Sequence, residues 1–201
     1  MPETTTGRRE RKKARTRQAL ADAAVRLFTE RGFDNVGVRE VAEAADVSLS
    51  TLFKHFPSKE ALVFDLDEDL ESALIAAVRD RAPGRSVLHA LRDHLVGTRT
   101  HVPADDPMFV LVESTPALRD YARRMWSRHE KALAAALAEE TGLAAEDPAV
   151  AGLARFALEA PGIARSGQDP ARTLSELFAL LEHGWAGTAL ARGDDRAGRD
   201  G

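Results

Sequence analysis

Apolar residues recur along this chain at the three- and four-residue spacing of helices, and hardly anywhere at the two-residue spacing of strands. Leu20, Ala23, Ala24, Leu27 and Phe28 form one stripe, which stops at Gly32, so a first helix is expected from about Arg9. Val38 to Ala45 reads as a short second helix with Val41 and Ala42 inward, and Asp46 stands where the chain must turn. Ser48 can cap a third helix, Leu49 to Phe56, closed by Pro57. From Ser58 the four-residue spacing of Leu62, Leu66, Leu70, Leu74 and Val78 predicts one long, unbroken fourth helix to about Arg81, before Pro83 and Gly84.

Later helix starts share one chemistry. Asp106-Pro107, Asp147-Pro148 and Asp169-Pro170 each offer a carboxylate at the N-cap and a proline at the first helical position, where no amide hydrogen is needed. Thr115-Pro116 repeats the arrangement with a hydroxyl, and Ser86 is a further cap. The expected helices are then 86–101, 107–114, 116–140, 148–166 and 170–192, with Pro161-Gly162 kinking or ending the eighth. The chain therefore reads as all-α with nine helices: residues 1–57 as a basic arm and three-helix domain, 58–192 as a larger helical domain, and 193–201 as a disordered Gly/Asp/Arg-rich tail.

Composition narrows the class. With 44% hydrophobic and 30% charged residues over 201 positions the chain is long and apolar enough to build cores, and no apolar run approaches a membrane span. The absence of cysteine excludes a disulfide framework, a thiol nucleophile and any Cys-based zinc site. A cytoplasmic, nucleoid-associated protein is expected. The net charge of −4 hides an asymmetry: residues 1–64 hold 12 Lys/Arg against 9 Asp/Glu, and the remainder 16 against 23. Arg8, Arg9, Arg11, Lys12, Lys13, Arg15 and Arg17 are opposed within their block only by Glu10, which suits contact with a polyanion. The block could instead be a solvated tail; for a membrane surface it lacks the large apolar residues that an interfacial helix buries.

Two short helices joined by a tight turn, with a third preceding them, have the arithmetic of a helix-turn-helix. If Val41, Ala42, Val47, Leu52 and Phe56 make its small core, Leu49, Ser50, Thr51 and Lys54 are left to meet a major groove. Lys54, His55 and Lys59 suit phosphates. Arg15, Arg17, Arg39 and Phe53 complete the expected DNA-binding set.

The residues that carry this reading are Ala19–Phe28, Arg31-Gly-Phe33, Val38–Ala42, Ala45-Asp-Val-Ser48, Thr51–Phe56 and Pro57–Leu62. Together they resemble, without a gap from about residue 14 to 66, the DNA-binding domain of the TetR/AcrR family of bacterial transcriptional regulators. Three positions depart from that family's pattern. Gly37 stands for a capping Thr, Asp46 for the turn glycine, and Phe53 for a Tyr whose hydroxyl would reach phosphate.

The resemblance implies a homodimer that binds double-stranded operator DNA and is released from it by a small-molecule effector, normally as a repressor. It also implies a ligand site among helices four to seven and a dimer interface on helices eight and nine. Candidate ligand-site residues are Leu91, His94, Leu95, Met108, Phe109, Tyr121, Met125, Trp126, Phe156 and Glu159, with Arg99 and His129 as further polar anchors. Leu174, Leu177, Phe178, Leu181, Trp185 and Thr188 lie along one face of helix nine; that stripe suits either a dimer seam or an internal core. The long fourth helix is the expected lever between ligand and DNA.

An enzyme or a ligand carrier without DNA binding is the alternative. His94 and His101 stand about 10 Å apart along a helix, too far for one metal. No phosphate loop, paired metal-binding histidines or nucleophile elbow occurs. Asp65, Glu68, Asp69 and Ser72 could approach a divalent cation, although such a face is ordinarily just solvated. No metal, cofactor or catalytic residue is therefore expected.

Overall fold

The computed structural model describes residues 5–65, 67–99, 106–165 and 167–184. Its helices are α1 (Thr5–Arg31), α2 (Val38–Ala44), α3 (Leu49–His55), α4 (Asp67–Arg79), α5 (Val87–Arg99), α6 (Pro107–Ser114), α7 (Pro116–Thr141), α8 (Pro148–Arg165) and α9 (Pro170–His183), with a 3-10 turn at Glu60–Leu62. Among the described residues there is no strand, so the fold is all-α as the spacing of apolar residues requires.

The aspartate caps and the Ser86 cap form as their chemistry predicts. Asp106 Oδ1 accepts from the amides of Met108 (2.8 Å) and Phe109 (3.3 Å), Asp147 Oδ1 from Ala149 (2.9 Å), and Asp169 Oδ1 from Arg172 (3.0 Å). Each takes up amides that the first helical turn leaves without partners. Ser86 Oγ accepts from His89 N (3.2 Å) in the same way.

Three expectations are corrected. No unbroken helix starts at Ser58: a 3-10 turn at Glu60–Leu62 comes first, and α4 runs only from Asp67 to Arg79, about 20 Å. Fully buried Leu62 pins the turn, and the Asp65 carbonyl accepts from Arg17 Nη2 (2.7 Å). Pro161 does not end α8, which continues to Arg165 with Pro161 buried beside Ala157, Ala160 and Ala164. Lastly, α9 stops at His183, because Gly184 turns to φ 69° and its amide donates back to the Leu180 carbonyl.

The chain divides into two compact units. The first comprises Met1–Glu68 with Asp105–Met125, and so extends past residue 57. Its core joins Leu20, Ala24, Phe28, Val41, Leu52, Phe56 and Leu62 to Leu111 of α6 and Leu118 of α7. Phe28 and Phe33 meet edge to face at 5.1 Å. Hence α6 and the opening of α7 are part of what holds the three N-terminal helices together.

The second unit comprises Asp69–Ala104 with Trp126–Gly201. Leu74, Val78, Leu91, Leu95, Leu133, Leu137, Ala154, Leu174 and Phe178 form its core, and α9 packs against α5 and α8. Phe156 of α8 and Phe178 of α9 pack edge to face at 5.4 Å.

Candidate nucleic-acid interface

The geometry of the first unit starts at its turn. Gly37 is extended at φ −86° and offers no side chain to cap α2, but Glu40 Oε1 accepts its amide at 2.9 Å. Glu40 Oε2 also pairs with Arg31 at 2.7 Å, and these two contacts, the Gly37 amide first, hold the Glu40 carboxyl below its ordinary range. The Glu40 contact is the reciprocal half of a capping box, and the Glu40 amide, which a capping hydroxyl would accept, donates to the Gly37 carbonyl at 3.1 Å. Asp46 takes φ 52°, the left-handed conformation that glycine adopts most readily, and closes the turn with the Val47 amide donating to the Ala42 carbonyl at 2.9 Å.

Helix α3 then presents two faces. Leu52 and, just past its end, Phe56 are buried, whereas Ser50, Phe53 and Lys54 are exposed and Leu49 and Thr51 half-buried. Phe53, at 49% exposure, is a large ring turned to solvent. Ser48 Oγ accepts from the Thr51 amide at 3.1 Å and lies 2.9 Å from Ser50 Oγ and 2.8 Å from Thr51 Oγ1. Three hydroxyls that can donate or accept therefore cluster at the opening of the helix, the chemistry that reads base edges in a major groove.

The expected phosphate contacts separate into two groups. Arg15, Arg39 and Lys54 are exposed, and on α1 so are Arg8, Arg9, Arg11, Lys12 and Lys13. Arg8, Arg11, Lys12 and Arg15 recur at the spacing of a single helical face, so what was expected as a basic arm is a basic extension of α1. Arg17 and Lys59 instead face inward, because each has protein groups to satisfy.

Arg17 donates from Nη1 to the His55 carbonyl (3.2 Å) and from Nη2 to the Asp65 carbonyl (2.7 Å). Its Nε pairs with Asp65 Oδ1 at 2.6 Å, and its guanidinium lies 4.7 Å from the centre of the Phe56 ring. Lys59 donates to the Phe33 carbonyl, with its ammonium 4.1 Å from the Phe33 ring centre and 5.5 Å from that of Phe28. Burial holds the Lys59 ammonium below its ordinary pKa. His55 is half-buried, and its Nδ1 has no hydrogen-bond partner among the described residues. Burial first, then Arg17 and Lys13, lower its pKa.

The candidate ligand residues fall in different units. Met108, Phe109, Tyr121 and Met125 belong to the first, where Tyr121 stacks on Phe64 at 5.2 Å. Leu91, His94, Leu95, Trp126, Phe156 and Glu159 belong to the second, where Leu91 and Leu95 are fully buried and Glu159 is exposed. His129, also of the second unit, is buried 3.7 Å from Glu71, with Trp126 edge-on at 5.3 Å. The Arg99 side chain and His101 lie outside the described residues.

The helix-nine stripe divides too. Leu174 and Phe178 are buried in the core of the second unit and Leu177 packs against that core, whereas Leu181 is 44% exposed. Trp185 and Thr188 lie outside the described residues. Of the acidic side chains that could approach a cation, Asp65 pairs with Arg17. That pairing was missed in the sequence, since nothing local links positions so far apart.

Residues 20–66 match the family model for bacterial regulatory proteins of the tetR family. The HTH-type transcriptional regulator TcmR of Streptomyces glaucescens is 32% identical over 152 residues, covering 70% of this chain and 67% of that protein. Among solved structures, Salmonella enterica GusR superposes with a TM-score of 0.55 at 22% identity, over 83% of this chain and 93% of that one. The TetR family repressor AlkX from Dietzia sp. does so at 0.53 and 24%, over 82% and 94%. At those identities the two structures establish a shared fold.

Proposed function

This chain belongs to the TetR family of bacterial transcriptional regulators and is a helix-turn-helix DNA-binding protein, and on that premise we propose that it is a homodimeric repressor released from its operator by a small molecule. The observation that carries the reading is α3 itself: Leu52 and Phe56 anchor it in the core, while Ser50, Phe53 and Lys54 are turned outward, and α1 of the same unit is rich in exposed cations. In this reading Leu49, Ser50, Thr51 and Phe53 meet base edges and sugars. Arg15, Arg39 and Lys54 meet phosphates, and the basic extension of α1 adds sequence-independent affinity.

The effector site is proposed in the second unit, where His94, Trp126, Phe156 and Glu159 accompany the buried Leu91 and Leu95. Dimerisation is proposed through α8 and α9, on which Ile163 (54%) and Leu181 (44%) are exposed large apolar residues. The named relatives are regulators, which favours this function over catalysis. No helix among the described residues is long and apolar enough to cross a membrane, and action on the nucleoid is part of the proposal.

The test is to select duplexes from fragmented host DNA and titrate the recovered duplex. A Thr51→Ala variant is expected to shift base preference at one position by about 1–3 kcal/mol. Recovery of no duplex above random sequence would overturn the proposed operator. A candidate effector must also bind more weakly when operator is present, because coupling between two sites is reciprocal. Equal affinity with and without operator would exclude that compound.

A further inference from the structure

Arg17 of α1 touches the end of the recognition helix and the segment entering α4 at once. Its three guanidinium nitrogens are used within the first unit: Nη1 on the His55 carbonyl, Nη2 on the Asp65 carbonyl, and Nε on the Asp65 carboxylate. The His55 carbonyl is among the last of α3, which the helix itself leaves without an amide partner. The guanidinium plane also lies over Phe56, the residue that ends α3. With Arg17 33% and Asp65 13% exposed, the pair is sheltered enough for its fork geometry to be held.

We infer that the Arg17–Asp65 pair is a positioning latch, which fixes the C-terminal end of the recognition helix to the chain entering α4 and thereby sets how α3 meets the groove. Asp65 is the informative member. A carboxylate repels phosphate, so a loss of DNA binding when its charge is removed has to act through the protein. Arg17 is a positioning residue in this scheme and not a backbone contact. The inference rests on the DNA-binding reading of α3 and adds to it the device that holds α3 in register. A shift of the segment that carries Asp65 would pass through one side chain to the His55 carbonyl.

The experiment measures affinity for a duplex selected by the wild-type protein and for poly(dI-dC), each across a salt series, in the full-length chain. Asp65→Asn, nearly isosteric and still able to present its backbone carbonyl, is expected to weaken the selected duplex about tenfold and poly(dI-dC) hardly at all, with the salt slope unchanged. Arg17→Ala should behave alike, and the double variant should lose little more than either alone. Arg17→Lys, which keeps the charge but not the fork, should fail to restore specific binding.

A phosphate role gives the opposite set: Arg17→Ala lowers the slope by about 0.9 and both affinities together, Arg17→Lys restores most binding, and Asp65→Asn leaves binding equal or tighter. Any of these overturns the latch. Hydrogen exchange on the free protein supplies a measurement independent of DNA: amides at the end of α3 should exchange faster in Asp65→Asn while those of α2 keep their protection. Unchanged α3 exchange refutes the latch even if the wild type selects no duplex, an outcome that would separately refute the DNA-binding reading. Should Asp65→Asn not fold, Asp65→Glu, which retains the charge and displaces it by one methylene, must show the same loss of specific binding at constant slope or the inference fails.

Discussion

The ammonium of Lys59 sits 4.1 Å from the centre of the Phe33 ring and donates to the Phe33 carbonyl, tying the start of the 3-10 turn to the loop after α1. A cation placed this way is expected to stabilise the protein instead of meeting phosphate. Lys59→Ala is expected to lower unfolding free energy by about 1–2 kcal/mol, from the lost carbonyl bond and ring contact. The salt slope of DNA binding should stay the same. A slope reduced by about 0.9 would return Lys59 to the phosphate contacts.

His55 gives stability a pH dependence of known sign. Burial, helped by Arg17 and Lys13 and opposed by Asp65, keeps its folded pKa below the ordinary 6.5. Below pH 6.5 the unfolded chain therefore gains a proton that the folded one resists, and stability falls as pH drops from there through the lowered value. Thermal unfolding between about pH 7.5 and pH 5 should show this decline, and His55→Gln should remove that component of it.

Asp46 holds φ 52° where a glycine would be at ease. Asp46→Gly is expected to stabilise the protein by about 0.5 kcal/mol, the relief of backbone strain being partly offset by the greater freedom of glycine in the unfolded chain. Asp46→Val, with a branched Cβ at positive φ, should cost about 1–2 kcal/mol. Denaturant midpoints check both.

The two ends of the α9 stripe should respond differently to substitution. Leu174 is fully buried, so Leu174→Ala is expected to cost about 2–5 kcal/mol of protomer stability through the cavity it leaves. Leu181 is 44% exposed, and Leu181→Asp should separate the proposed dimer in sedimentation while far-ultraviolet circular dichroism keeps its helical signal. Loss of that signal in Leu181→Asp would place Leu181 in the protomer core.

What the sequence determined by itself was local. The Asp-Pro pairs at 106, 147 and 169 announced helix starts, because a cap and a proline act within one turn of chain. The i, i+3, i+4 stripe of Leu20, Ala23, Ala24, Leu27 and Phe28 fixed the buried side of α1, and the motif from Val38 to Phe56 carried the family. Tertiary structure decided whatever depended on partners distant along the chain. Apolar spacing alone continues through Leu62, Leu66 and Leu70, yet the helix is interrupted there, where Arg17, 48 residues away, donates to the Asp65 carbonyl. Counting cations groups Arg17 and Lys59 with the exposed cations, but a charge in a sequence has no direction. The His55 carbonyl, Asp65 and the Phe33 ring turned both side chains inward, since a cation near the core is stable only where it meets carbonyls, a carboxylate or a ring face.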